Sequence, residues 1–299
     1  EASFVESDFS GADFSGPNLN LAAFVNMNLE NAKLSGANLS AAKFAETKLA
    51  KADLTGVKTT MAMFAQCSLA GASFKETLVD RIMMAKTSLA GVDLRGATIR
   101  EVTITDADLT SAKLAGVEWD RVVLHQARLA GHSFAGCDIR RTQMMEADLK
   151  GVSFAGAKVD QCNMKSSDLE GATFEGASAK SAIFLEAKLK NVAFRGAFLH
   201  MAIFTEAKAL DCDFTGADME ISMWQRASAV RCKFKDAKLT YADFTHADVR
   251  GSDFSGAALY RARFHKTNED AASFGPGKMV AVGEDAELAK AEAFKTNHP

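Results

Sequence analysis

The chain has 299 residues, a net charge of −3 and 47% hydrophobic residues; it is long enough for two ordinary domains and lacks the basic excess that a phosphate-tracking protein carries. No apolar run reaches the roughly 18 residues of a membrane-spanning helix, and the opening residues lack the basic-then-apolar order of a signal peptide. Six acids and four lysines after residue 264 account for −2 of the charge, which leaves the body before them at about −1.

From Phe4 a large apolar residue recurs every five positions, without insertion or deletion, as far as Phe264. Between Met145 and Gly176 the unit is plain: Ala147-Asp148-Leu149-Lys150-Gly151 is followed by Val152-Ser153-Phe154-Ala155-Gly156. A small residue, a polar one, a Leu or Phe and two tolerant positions make up the phrase. Such strictness marks a repeat array, in which each unit buries its face against its neighbours and the core lengthens instead of thickening. A period of five matches neither the 3.6 of a helix nor the 2 of a simple strand, so a different geometry must bring the apolar centres together.

The most literal units are Ala12-Asp13-Phe14, Ala37-Asn38-Leu39, Ala52-Asp53-Leu54, Ala107-Asp108-Leu109 and Ala242-Asp243-Phe244. The pattern resembles the pentapeptide-repeat family, whose signature is A-(D/N)-L-x-x, over about nine tenths of the chain. The resemblance implies an all-β fold, a right-handed quadrilateral parallel β-helix (solenoid). Four repeats would form one square coil, with the Leu or Phe and the small residue two before it inward and the other positions in solvent. About 13 coils at the usual strand spacing would give a rod of about 60 to 65 Å with a short C-terminal helical tail. Open ends would then need a cap, a partner or another domain.

Residues twenty apart should stack, and the sequence sorts at that period. One column carries Phe4, Phe24, Phe44, Phe64, then Met84, Ile104, Leu124, and later Phe184, Phe204, Trp224, Phe244 and Phe264; the next is almost all leucine from Leu29 to Leu189. The third runs as phenylalanine from Phe134 to Phe254, and the fourth mixes Leu19, Leu39, Thr59, Val79, Ile99, Trp119 and Ile139. Departures are informative. Trp224 is large for its slot, and Ala209 and Ala229 on the next face leave room for it. Thr59 and the inverted pair Leu78-Val79 predict irregularity near the third and fourth coils. His132 occupies an inward small slot, read as a neutral histidine bonded to a turn carbonyl or, more sharply, as a pH switch. Cys67, Cys137, Cys162, Cys212 and Cys232 all fall two residues before an apolar centre, where cysteine acts as a small hydrophobe; only Cys212 and Cys232 have the spacing to lie close together.

The phase weakens after Phe264. Glu269 stands where an apolar centre should be, and Ala272 with Phe274 gives one last partial match, so the repeat domain is drawn as 1–274 and the tail as 275–299. Gly275-Pro276-Gly277 breaks the chain, Met279–Val282 reads as a short strand, and Glu284–Lys295 reads as a helix with Leu288, Ala291 and Phe294 as its apolar stripe. Its expected role is a cap for the last coil or a dimerisation element. At the other end the chain opens at Glu1 in phase and without a methionine, from which we expect missing upstream sequence, including an N-terminal domain.

A filled column offers no concave site for catalysis. The histidines are scattered, with His125, His200, His246 and His265 expected outside, His132 inside and His298 in the tail; no HExxH, Walker loop, GxSxG or CxxC is present. The expectation is a protein that is not an enzyme, with no catalytic, metal or cofactor residues and no cofactors. Arg81, Arg100, Arg121, Arg140 and Arg141 cluster on one face, yet Asp80, Glu101, Glu118, Asp120, Asp138 and Asp160 interleave with them, which predicts ion pairs and no nucleic acid partner.

Apolar residues also stand at outward positions. Around the Phe184–Trp224 column lie Ala23, Val25, Met63, Met83, Val123, Met145, Ile183, Leu185, Ile203 and Met223; the adjacent corner adds Leu21, Met61, Met201, Ile221 and Tyr241, with Phe198 nearby. A contiguous patch of this kind marks an interface or lies under another part of the chain. Partner-binding residues are therefore expected at Met63, Met83, Val123, Ile183, Leu185, Met201, Ile203, Ile221, Met223 and Tyr241. The function expected is a protein–protein interaction scaffold, bound to another protein or to a second copy, in the bacterial cytoplasm unless secreted or translocated. The family resemblance adds a DNA mimic that binds gyrase, although a near-neutral body does not supply a phosphate-like surface. A third reading is the repeat portion of a bacterial secretion-associated adaptor or effector.

Overall fold

The computed structural model describes residues 2–293. Short extended segments centred on the Leu and Phe positions pair in parallel with their counterparts twenty residues on, as in Phe4↔Phe24, Phe24↔Phe44 and Phe44↔Phe64. Four such ladders run along the molecule and close it into a parallel β-solenoid of about fourteen turns, one more than the spacing suggested. We name the faces by their first centres: A (Phe4), B (Phe9), C (Phe14) and D (Leu19). Face A forms a seven-stranded sheet from Ser3–Val5 to Val123–His125 and continues as single bridges. Face D contributes a three-stranded sheet, Leu78–Asp80, Thr98–Arg100 and Glu118–Asp120.

The interior is made by the predicted columns. On face A, Phe24 and Phe44 stack at 4.6 Å with planes 3° apart, and Phe184, Phe204, Trp224, Phe244 and Phe264 continue the stack farther along. Phe134 to Phe274 form an uninterrupted stack on face C. The two stacks meet edge to face, as Phe204 and Phe214 do at 89°. Offset and edge-on pairs of this kind contribute about 0.5–1.5 kcal/mol each beyond their burial. Trp224 is fully buried among Phe204, Phe214, Phe234 and Phe244, and its indole N–H donates to Ser222 Oγ at 3.1 Å. The small slots at Ala209 and Ala229 pair with each other on face B. Between Phe74 and Phe134 the aromatic columns give way to Met84, Leu94, Ile99, Ile104 and Leu124. An apolar void of about 10 Å³ lies there, against Phe74, Val79 and Met84.

Most corners are closed by a hydrogen bond from residue i+3 to residue i with positive φ at i+2, the geometry of a type II turn. Face D departs from this in mid-molecule. The corner bonds after Leu39 (Ala42 N–H to its carbonyl, 3.0 Å) and Thr59 (from Ala62, 2.8 Å) give way to three-residue strands at Val79, Ile99 and Trp119, and the bond returns at Ile139 (from Thr142, 3.3 Å). Where the turn type changes, the ladder breaks: neither Lys58 with Leu78 nor Glu118 with Asp138 forms a bridge. Thr59 Oγ1 partly fills the first gap by donating to the Leu78 carbonyl at 3.3 Å. Ladder pairs are also absent between Ser88 and Asp108 on face B and between Lys113 and Ser133 on face C. Beyond residue 143 every face is continuous.

The tail corrects two expectations. Residues Pro276–Val280 form a 3₁₀ helix, not the strand predicted over Met279–Val282; only Val282 pairs, with Arg263. Pro276 starts that turn without needing an N–H. An α-helix, α1, spans Ala286–Ala293 and so begins two residues later than Glu284, and Asp285 caps it by accepting the N–H groups of Glu287 and Leu288. Leu288 and Ala291, two of the three residues of the expected apolar stripe, are exposed; Phe294, Lys295 and His298 lie outside the described residues. Glu292 anchors the helix, taking Lys266 Nζ at 2.6 Å and the Nε2 atoms of His246 and His265 at 2.9 and 3.4 Å. These partners hold the Glu292 carboxyl down at about 2. His265, expected outside, is buried beneath this clasp.

Candidate functional site: the apolar face and its corners

All ten predicted partner-binding residues lie at the surface. Met63, Met83, Met201, Ile221, Met223 and Tyr241 are exposed, and Val123, Ile183, Leu185 and Ile203 are half-buried. They fall into two clusters. Met63 pairs with Met83 near one end, while Ile183, Ile203 and Met223 pair in sequence toward the other. Thr103, Gln143 and Asn163 occupy the same column between them and leave Val123 alone.

The second cluster is the larger. Met201, Ile221 and Tyr241 line the corner between faces D and A, with Phe198 exposed beside them. The sequence reading missed Tyr260, which is 50% exposed and meets Tyr241 edge-on at 5.9 Å. Its outward position twenty residues beyond Thr240 would have revealed it. Ile221, Met223, Tyr241, Asp243, Arg261 and Arg263 line a groove of about 220 Å³ at this place. Arg261 lies over the Tyr260 ring at 5.7 Å.

Backbone conformation sets face A apart. Every glycine with positive φ lies on the B–C or the C–D corner, from Gly11 and Gly16 to Gly251 and Gly256. The two corners that flank face A have none. At the D–A corner the positive-φ positions hold Leu21, Met61, Met201, Ile221 and Tyr241 among others, with φ of 59° at both Met201 and Ile221. Glycine adopts this conformation freely, whereas a side chain costs about 1–2 kcal/mol and a β-branched one is a clear outlier.

Many charges elsewhere are paired. Asp80 is buried and receives Arg100 Nε at 2.8 Å, Arg81 Nε at 3.2 Å and Thr60 Oγ1 at 3.1 Å. The Arg100 hydrogen bond above all holds its carboxyl below the usual range. Arg121 pairs with Glu101 and Asp120, and Arg140 with Asp138. The expected mixed-sign pairing is therefore present.

Burial pushes Cys162 up to about 12 and raises Cys67, Cys137 and Cys232, the last with Cys212 against it. All five are free thiols. Half-buried His132 hydrogen-bonds the Leu109 carbonyl through Nε2, as its slot suggested. A cleft of about 460 Å³ opens at the nearby break in face D, lined by Val117, Trp119, Cys137, Asp138 and Arg140. Among the described residues no helix is long and apolar enough to cross a membrane.

The family model for pentapeptide repeats matches in 8 copies over residues 22–58, 83–116, 104–141, 142–184, 182–220 and 225–268, well over half of the chain. The chain is a pentapeptide-repeat protein. Among solved structures, this pentapeptide-repeat protein is similar to HetL of the cyanobacterium Nostoc, described as involved in heterocyst differentiation regulation. The identity is 21%, over 87% of this chain and 90% of that one, with a TM-score of 0.21. It is also similar to QnrB1, a plasmid-mediated fluoroquinolone resistance protein, with 20% identity over 67% and 88% of the two chains and a TM-score of 0.25. A third similar structure is a thylakoid-lumen pentapeptide-repeat protein of Arabidopsis thaliana, at 23% identity over 46% and 79% and a TM-score of 0.15. No curated protein matches this chain.

Proposed function

We propose that this pentapeptide-repeat protein is a non-enzymatic scaffold that docks a protein partner on face A, chiefly at the cluster from Ile183 to Tyr260. The observation that carries the reading is the D–A corner. Leu21, Met61, Met201, Ile221 and Tyr241 occupy positive-φ positions there and face solvent, next to Arg, Glu, Gln and Ser in other coils, whereas glycine serves most of the same turns at the B–C and C–D corners. Backbone strain retained at exposed apolar positions favours an interface, because nothing in the fold itself repays it. Methionine suits such a face, since its flexible thioether adapts to an irregular partner. The paired state of so many surface carboxylates favours this reading over mimicry of a phosphate backbone, which needs unneutralised negative charge.

The test is a pull-down with the wild-type chain and with Ile203→Glu/Met223→Glu, both outward residues. Capture of bound protein should be lost while the β signal in circular dichroism is retained. Unchanged capture would remove face A from consideration. Sedimentation of the wild-type chain alone identifies the case in which the captured protein is a second copy. A DNA-supercoiling assay addresses the mimic, and inhibition of gyrase by the wild-type chain would favour it.

A further inference from the structure

We propose that His200, Asp218 and Glu220 form a binding site for one divalent metal ion of the zinc class, on face D at the rim of the apolar cluster. Asp218 stands on the bridged segment of face D and Glu220 at the first position of the turn that follows it. The Phe198↔Asp218 bridge sets the register between coils and places His200 one coil below Glu220. One ligand atom from each of the three residues lies within 4.8 Å of the others, and all three residues are half-buried.

These groups are unusual for what they lack. Among the described residues, neither the His200 imidazole nor the Glu220 carboxylate has a hydrogen-bond or ion-pair partner. Asp218 has two long contacts: its Oδ1 accepts the Glu220 N–H at 3.5 Å, and its Oδ2 accepts Lys238 Nζ at 3.4 Å. Lys238 is 61% exposed and free to leave. Carboxylates elsewhere on this face are held firmly. Arg140 grips Asp138 with two bonds, at 2.7 and 2.8 Å, and Asp160 Oδ1 accepts the Ser178 hydroxyl and the Lys180 N–H. Two carboxylates and one imidazole with free lone pairs form a mixed nitrogen and oxygen donor set. Such a set suits zinc and its neighbours, and three protein ligands leave a fourth position open.

His246, His265 and Glu292 are equally close together, which makes them the natural control. They are already satisfied. His265 Nδ1 accepts the Asp285 N–H at 3.0 Å, so its Nε2 keeps the proton that it directs at Glu292, while Lys266 supplies the positive charge. A metal there would have to displace a proton and an ammonium and detach α1.

The inference does not depend on face A docking a protein. It is tested by titrating the metal-free full chain with Zn²⁺ in a calorimeter, alongside His200→Ala, Glu220→Gln and His246→Ala. The expected result is one ion per chain, bound at least tenfold more weakly by the first two variants and unchanged in the third. Circular dichroism verifies that each variant keeps its fold. X-ray absorption of the zinc-loaded chain should show a shell of nitrogen and oxygen with one imidazole. No binding by the wild-type chain, equal binding by His200→Ala, loss in His246→Ala, or sulfur in the shell would each overturn the site.

Discussion

The stretch from Lys58 to Arg141 and the stretch from Gln143 to Asn268 obey the same five-residue rule and solve it differently. The second keeps all four ladders, stacks rings on faces A and C, and closes most of its corners with hydrogen bonds, with open strands at Ala209 and Ala229 on face B. The first fills its interior with Met, Ile, Val and Leu, opens face D into strands and loses ladder pairs on three faces. On face D the ladder breaks where open and turned corners meet, whereas on face B the open strand at Ala229 still pairs through Ser228 with Asp248 in the turned coil beyond it. Side chains and ion pairs then do part of what the ladder does elsewhere: Thr59 bonds Leu78 across one gap, and buried Asp80 gathers Arg81 and Arg100.

Three experiments break or sharpen this contrast. The largest effect is expected from Trp224→Ala, which deletes a ring from the continuous stack and should cost about 3–5 kcal/mol in urea unfolding. Trp119→Ala, beside the open ladder and with a single edge-on aromatic neighbour in Phe134, should cost less, near the low end of that range at about 3 kcal/mol. Equal losses would mean that the two stretches are equally well packed. The second is Asp80→Asn, expected to cost about 1–2 kcal/mol at neutral pH through weakened charge-assisted bonds. Because the folded carboxyl is held low, its contribution is complete above the unfolded value near 4 and disappears as pH falls through the lowered folded value. The gap between wild type and variant should therefore close on acidification, and a constant gap would dismiss the charge. The smallest effect is expected from Glu292→Gln. It should loosen α1 at neutral pH, seen as faster amide exchange at Leu288 and Ala289, without moving the main unfolding transition. In the wild type the same loosening should come as pH falls from about 4 toward the Glu292 value of about 2. Protection of α1 equal in wild type and variant would show that other contacts hold it.

What the sequence disclosed follows from what its period encodes. Inward positions repeat every five residues, so the four columns, the inward place of Trp224 and the nature of the cysteines could all be read directly. Thr59 and Leu78-Val79 marked one of the breaks because they violate the pattern. The break at Glu118–Asp138 left only Trp119 and His132 as traces, since turn type is a backbone property and the side chains still alternate correctly. The tail has no period to read. Its helix was legible from its composition, but the clasp of Glu292 on two histidines and a lysine was not, and so His265 was expected outside. On face A the outward apolar residues were legible one by one. Their split into two clusters, and the confinement of glycine to the far corners, emerged once the columns were set side by side.

The fixed offset of twenty between stacked residues has a consequence for how such a rod can change in length. Removing one five-residue unit would keep every downstream Leu and Phe inward, yet it would swing everything beyond it through a quarter turn and point Met223 and Tyr241 in a new direction. Only gain or loss of whole coils preserves the outer stripe, so the inside tolerates steps of five and the outside only steps of twenty.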